Sequence, residues 1–152
     1  MTLPASFLFD GAMRLRRTWF RKVDVAEIEA ALADAPVSAA DYTAQASMWQ
    51  KAGDNVSALQ AMREAARMDP DDLVTRFNLA TAASVARQFD ESEKAVRFVL
   101  ARAPKHVLAW EVLVKTLDSA GRVKAARTAA KKGLRNVPKH PFLTKYLLEG
   151  ER

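Results

Sequence analysis

Apolar residues recur at three- and four-residue steps from residue 39 to residue 149, the spacing of one face of a helix. The pattern predicts paired helices at 39–52 and 55–68, 73–86 and 89–102, and 107–120 and 123–136. No stretch alternates with the period of two that marks a half-buried strand, so the expected class is all-α. Pro36, Pro70, Pro104 and Pro138 stand 34 residues apart. Each follows a predicted helix that it cannot continue, because proline lacks an N–H and clashes with the preceding turn. Asp69-Pro70-Asp71-Asp72 offers Asp71 or Asp72 as the next N-cap, and Ser38 followed by Asp41 suits the first helix start.

The residues between the prolines repeat with the same period. One unit reads Trp110-x2-Leu113, then Leu117, Gly121 at the turn, Ala126-x3-Ala130 and Pro138. An earlier one reads Tyr42, Ala46, Trp49, Gly53, Ala58-x3-Met62 and Pro70. The middle unit keeps Leu79, Ala80 and Pro104, has Ser92 in the small-residue slot, and carries Arg76 and Arg87 where Trp and Gly are usual. Over residues 39–138 the chain resembles the tetratricopeptide-repeat family. The resemblance implies an α-solenoid of antiparallel helix pairs wound into a right-handed superhelix. Its repeats would be 39–72, 73–106 and 107–138 within a solenoid spanning 23–152. Ala58, Ser92 and Ala126 are small enough for the two helices of a pair to approach closely.

The ends are less regular. Residues 23–38 read as the second half of a degenerate leading repeat, with Val25, Ile28, Ala31 and Leu32 on one side. Residues 141–149 read as a short closing helix crowded with Phe142, Leu143, Tyr146, Leu147 and Leu148. That helix either caps the third repeat or leaves apolar surface for another subunit or partner to cover. Residues 1–22 form a separate basic segment. On a helix, Leu8, Ala12, Leu15 and Trp19 would make a stripe flanked by Phe9, Met13 and Phe20, with Arg14, Arg17 and Arg21 facing away. Such a helix would pack on the leading end of the array, anchor to an anionic membrane surface or acidic partner through Arg14, Arg17, Trp19, Phe20 and Arg21, or order only when bound. Gly11 would weaken it by about 1 kcal/mol.

Charge divides the chain. Residues 1–22 carry a net +4, residues 23–104 a net −5 and residues 105–152 a net +7. This asymmetry concerns partners and encounter rates rather than fold. Lys124, Arg127, Lys131 and Arg135 recur on one face of the 123–136 helix, which the resemblance places on the outer side. They form either a solvated face or a docking patch for an acidic protein, a nucleic acid or an anionic lipid. The helix has no aromatic side chain to stack a base, which disfavours the nucleic-acid option. The acidic 24–41 and basic 122–139 regions would also suit head-to-tail contact in a homo-oligomer.

Candidate chemistry is sparse. There is no cysteine, so no disulfide framework or thiolate metal site exists, and no apolar run approaches the roughly 20 residues that span a bilayer. His106 and His140 sit beside the repeat-ending prolines as linker residues. Asp69, Asp71 and Asp72 lack the glycine and distal glutamate of a calcium loop. No phosphate-binding loop, nucleophile elbow or zinc-protease motif occurs. The expectation is a protein without enzymatic activity, cofactor or metal, working in the cytoplasm with or without peripheral membrane contact.

Function then rests on the groove that the family builds from the first helix of each pair. Its inward positions map to Thr43, Ser47 and Gln50, to Val74, Phe77, Asn78, Thr81 and Ser84, and to Leu108, Glu111, Val112 and Lys115. The family's carboxylate-clamping groove needs cations and amides, and only Asn78 matches it. The groove is neutral and partly apolar around Phe77, which suits an apolar or amphipathic protein segment, unless it stands empty or holds the chain's own N-terminal helix. The leading expectation is a scaffold, adaptor or assembly factor. The alternative is a nucleic-acid-associated helical repeat, whose binding would fall with salt at a slope of about −0.9 per phosphate neutralised. A lesser alternative is a type III secretion chaperone, similar in layout but generally acidic.

Overall fold

The computed structural model describes residues 6–9, 15–19, 24–27, 30 and 38–149. The chain divides into two compact units, Met1–Val37 and Ser38–Arg152. In the first, Ser6–Phe9 (β1) and Leu15–Trp19 (β2) pair antiparallel, with Ser6 opposite Trp19, Phe7 opposite Thr18 and Leu8 opposite Arg17. The register shifts between Leu8 and Phe9, which stands opposite Leu15. This corrects two expectations, an amphipathic helix over these residues and the absence of strands. Phe7, Phe9, Thr18 and Trp19 are strand-formers. Arg17 and Trp19 lie in β2, whereas Arg14, Phe20 and Arg21 fall outside the described residues. Most of the expected half-repeat at 23–38 does too, although residues 25–27 are helical.

The second unit is the solenoid. Its helices are Ala39–Lys51 (α1), Asn55–Met68 (α2), Leu73–Val85 (α3), Phe89–Arg102 (α4), Val107–Ser119 (α5), Val123–Asn136 (α6) and Pro141–Glu149 (α7). Each packs on the next, and α3 also touches α5. The first helices of successive pairs start at 39, 73 and 107, and α7 starts one further period on, at 141.

The caps explain this phase. Ser38 and Asp41 form a reciprocal capping box on α1, Asp72 accepts from Thr75 N on α3, and His106 Nδ1 accepts from Ala109 N on α5. These three caps are 34 residues apart, so His106 is a helix cap as well as a linker. His140 holds the same place before α7, but its ring is buried and neither nitrogen has a hydrogen-bond partner among the described residues. The turns inside the pairs repeat likewise: Gly53, Arg87 and Gly121 have φ of 79°, 61° and 74°. Glycine takes this left-handed conformation without strain; Arg87 does not.

The core follows the same logic. Ala58, Ser92 and Ala126 are all buried, as the close approach of paired helices requires. Leu113, Leu117, Val96, Val99, Val114 and Leu143 are the largest apolar side chains with almost no exposure. Ser92 brings a hydroxyl into this core and is satisfied by Ala80 O at 2.8 Å and Thr116 Oγ1 at 2.9 Å, with Ser84 Oγ 3.1 Å beyond Thr116.

Candidate functional site

The expected groove residues lie on α1, α3 and α5, and none of the twelve is buried. Ser47, Gln50, Val74, Leu108 and Lys115 are exposed; Thr43, Phe77, Asn78, Thr81, Ser84, Glu111 and Val112 are half-buried. Several are already engaged. Thr43, Ser47 and Thr81 return their hydroxyls to backbone carbonyls one turn back. Ser84 takes part in the hydroxyl chain to Thr116 and Ser92. Phe77 packs its ring on the His106 imidazole, centroids 4.8 Å apart, so it belongs to the groove wall as much as to a binding surface.

What remains open is neutral and partly apolar. Val74 is 66% exposed and Leu108 54% exposed, well above what a core position shows. Lys115 is ion-paired to Glu111, so the charges of α5 cancel locally. Asn78 makes no side-chain hydrogen bond among the described residues, leaving an amide with both donors and an acceptor for a partner.

The wall continues onto α7, which the sequence offered as a closing helix or as apolar surface for a subunit or partner, but not as part of the groove. Lys115 Nζ lies 5.0 Å over the Phe142 ring, and Phe142 and Tyr146 stack with centroids 6.1 Å apart. Tyr146 donates its hydroxyl to Asp118 Oδ1 at 2.6 Å, tying α7 to α5. Burial first, and this bond second, push its phenol up to about 12. The signal was present in the sequence: Phe142 stands in phase with Val74 and Leu108, and Tyr146 with Asn78 and Val112. Another part of α7 borders an open, mostly apolar recess of about 780 Å³ whose lining includes Leu134, Pro138, Pro141 and Leu148.

The basic positions of α6 separate. Lys124, Lys131 and Arg135 are exposed, whereas Arg127 is half-buried. Its Nη2 is enclosed without a hydrogen-bond partner among the described residues, and its charge reaches Tyr146. Lys132 is exposed as well. No described residue forms an ion pair with any of these five cations. At the helix starts, hydrogen bonds from Thr75 hold the Asp72 carboxyl below the usual range, and those from Ser57 do the same for Asp54. Among the described residues no group of three His, Cys, Asp or Glu side chains is placed to hold a metal ion, and no helix is long and apolar enough to cross a membrane.

A tetratricopeptide-repeat family model matches residues 77–141. No curated protein sequence matches the chain. The first tetratricopeptide domain of Spaghetti (RPAP3), solved bound to an HSP90 peptide, is similar at 17% identity and a TM-score of 0.64, over 74% of this chain and 89% of that one. The Sgt2 domain from Aspergillus fumigatus is similar at 18% identity and a TM-score of 0.65, over 78% and 81%. YrrB, described as having an unusual peptide-binding site, is similar at 17% identity and a TM-score of 0.68, over 83% and 63%. At such identities the likeness is one of fold. The family match identifies residues 77–141 as tetratricopeptide repeats, and the 34-residue phase of caps, turns and core positions extends the same fold over residues 39–149.

Proposed function

We propose that the protein is a non-catalytic interaction scaffold, an adaptor or assembly factor that holds a segment of a partner protein along α1, α3, α5 and α7. The observation that carries this reading is the exposure of Val74 and Leu108 on the first helices of successive pairs, α3 and α5, with the free amide of Asn78 also on α3. Leu and Val side chains left in water on neighbouring first helices gain about 1.5–3 kcal/mol each when a partner covers them fully. The neutral Lys115–Glu111 pair favours an amphipathic segment over a terminal carboxylate. In this reading the exposed cations of α6 speed encounter with an acidic partner, and the basic N-terminal unit aids docking there or at an anionic membrane surface.

The test is capture from the native host's lysate, with and without nuclease, followed by mass spectrometry. Wild-type protein is expected to retain one or a few proteins after nuclease and moderate salt, and a Val74→Arg/Leu108→Arg variant with unchanged helicity to lose them. Retention by that variant would sink the groove reading. A capture that collapses with nuclease would favour the nucleic-acid alternative, for which the unpaired cations of α6 are the supporting observation.

A further inference from the structure

The second helices of the pairs carry a groove of their own. Between α4 and α6 lies an open cleft of about 530 Å³. Leu100, Trp110, Leu113 and Ala129 form its apolar floor, and Arg97 and Lys132 stand exposed at its rim.

The preceding pair of second helices, α2 and α4, is linked by the chain's own side chains at the in-phase positions. There Arg63 forks onto Glu91, Nε to Oε1 at 2.9 Å and Nη2 to Oε2 at 2.7 Å. The Phe98 ring lies under two guanidinium groups, Arg76 at 4.9 Å and Arg102 at 3.6 Å from its centroid. One period later these side chains are gone: Ala125 stands for Glu91, Lys132 for Phe98 and Asn136 for Arg102. Arg97, in phase with Arg63, finds no carboxylate across the cleft and pairs with Glu93 on its own helix at 2.8 Å. Relative to that earlier pair, the ring of Phe98 and the carboxylate of Glu91 have no counterpart here, and Trp110 takes the place of Arg76 in the floor. Beside it, α6 holds five cations and no acidic residue.

We propose that the α4/α6 cleft docks an acidic protein segment bearing an aromatic side chain. The ring enters over Leu100, Trp110 and Leu113, in the place that Phe98 takes one repeat earlier. Flanking carboxylates meet Arg97 and Lys132. The α6 cations draw the segment in, and the apolar floor holds the ring, which is what separates this surface from a general polyanion patch. The site is independent of the groove on the first helices.

The probe is a fluorescent glutamate-rich peptide with one central phenylalanine, titrated against the full chain by anisotropy. The same peptide with alanine at that position is expected to bind about tenfold more weakly. The Ala125→Glu/Lys132→Phe variant restores the side chains of the earlier pair and is expected to lose the peptide by a similar factor while remaining folded. Lys132→Glu, a change at an exposed position, serves the same purpose should the double variant fail to fold. Undetectable binding of the phenylalanine peptide, equal binding of the alanine peptide, or undiminished binding by the altered chains would each overturn the proposal. So would duplex DNA displacing the peptide with a dependence on Lys124, Lys131 and Arg135 but not on the filled cleft.

Discussion

The second and third repeats do the same mechanical work with different residues. Trp110 donates its indole Nε1–H to Pro104 O at 2.7 Å; 34 residues earlier, Arg76 donates Nε–H to Pro70 O, also at 2.7 Å. Asp72 caps α3 where His106 caps α5. Arg87 makes the left-handed turn that Gly121 makes. The difference also runs through the core, where bulk moves between partners. Gly133 meets Leu143 and Trp110 so closely that an added Cβ would lie 2.7 Å from Leu143 Cδ1 and 3.2 Å from the indole. In phase with that pair stand Val99 and Ala109, larger on α4 and smaller on α5, and both fully buried. What the repeat preserves is a set of distances and donors rather than a set of side chains.

That comparison can be pressed at three points. Trp110→Ala is expected to destabilise the solenoid most, by about 3–5 kcal/mol, because it removes a buried indole and its hydrogen bond. Arg76→Ala, stripping the equivalent bond from a half-buried side chain, is expected to cost only about 1 kcal/mol. Denaturant unfolding of both variants would check this, and equal losses would mean that the bond outweighs the indole's packing. Next, Gly133→Val places the residue of α4 on α6 and is expected to cost about 2–3 kcal/mol through overlap with Leu143 and Trp110. Adding Leu143→Ala completes the exchange, so the double variant should be more stable than the two single losses summed, by about 1 kcal/mol or more. Strict additivity would break the idea of exchanged bulk. Smallest, Arg87→Gly is expected to raise stability by about 0.5–1 kcal/mol, since the left-handed strain outweighs glycine's freedom in the unfolded chain. A lower Tm would show that the Arg87 guanidinium, 5.9 Å from the Phe89 ring, matters more than the strain.

Helix positions in the solenoid were legible because proline, small-residue and cap signals are local and recur. Helices α1 to α6 begin at the expected residues and end within one residue of them. The N-terminal hairpin was not, since Leu8, Leu15 and Trp19 fit a helical stripe by spacing alone and strand pairing joins residues far apart in sequence. In the groove, the family pattern named positions, but their availability depends on neighbours far along the chain. Ser84 is engaged by Thr116, and Phe77 is held by His106. Arg127 shares a spacing with Lys124 and Lys131, yet α7 comes over it and half-buries it. No pattern internal to α6 contains that event.

The hydroxyl chain has a consequence for how the array comes apart. Ser84, Thr116 and Ser92 bridge the second and third repeats. At the boundary between the first and second, the in-phase residues are Gln50, Ala82 and Ala58, of which the two alanines are buried. The Arg63–Glu91 fork across that boundary lies at the solvent-exposed surface, and the alanine seam beneath it tolerates sliding, because methyl contacts are nondirectional, whereas a short buried hydroxyl relay breaks when its members shift by an ångström. In amide hydrogen exchange the second and third repeats should therefore open as one unit, with the first able to part from them earlier.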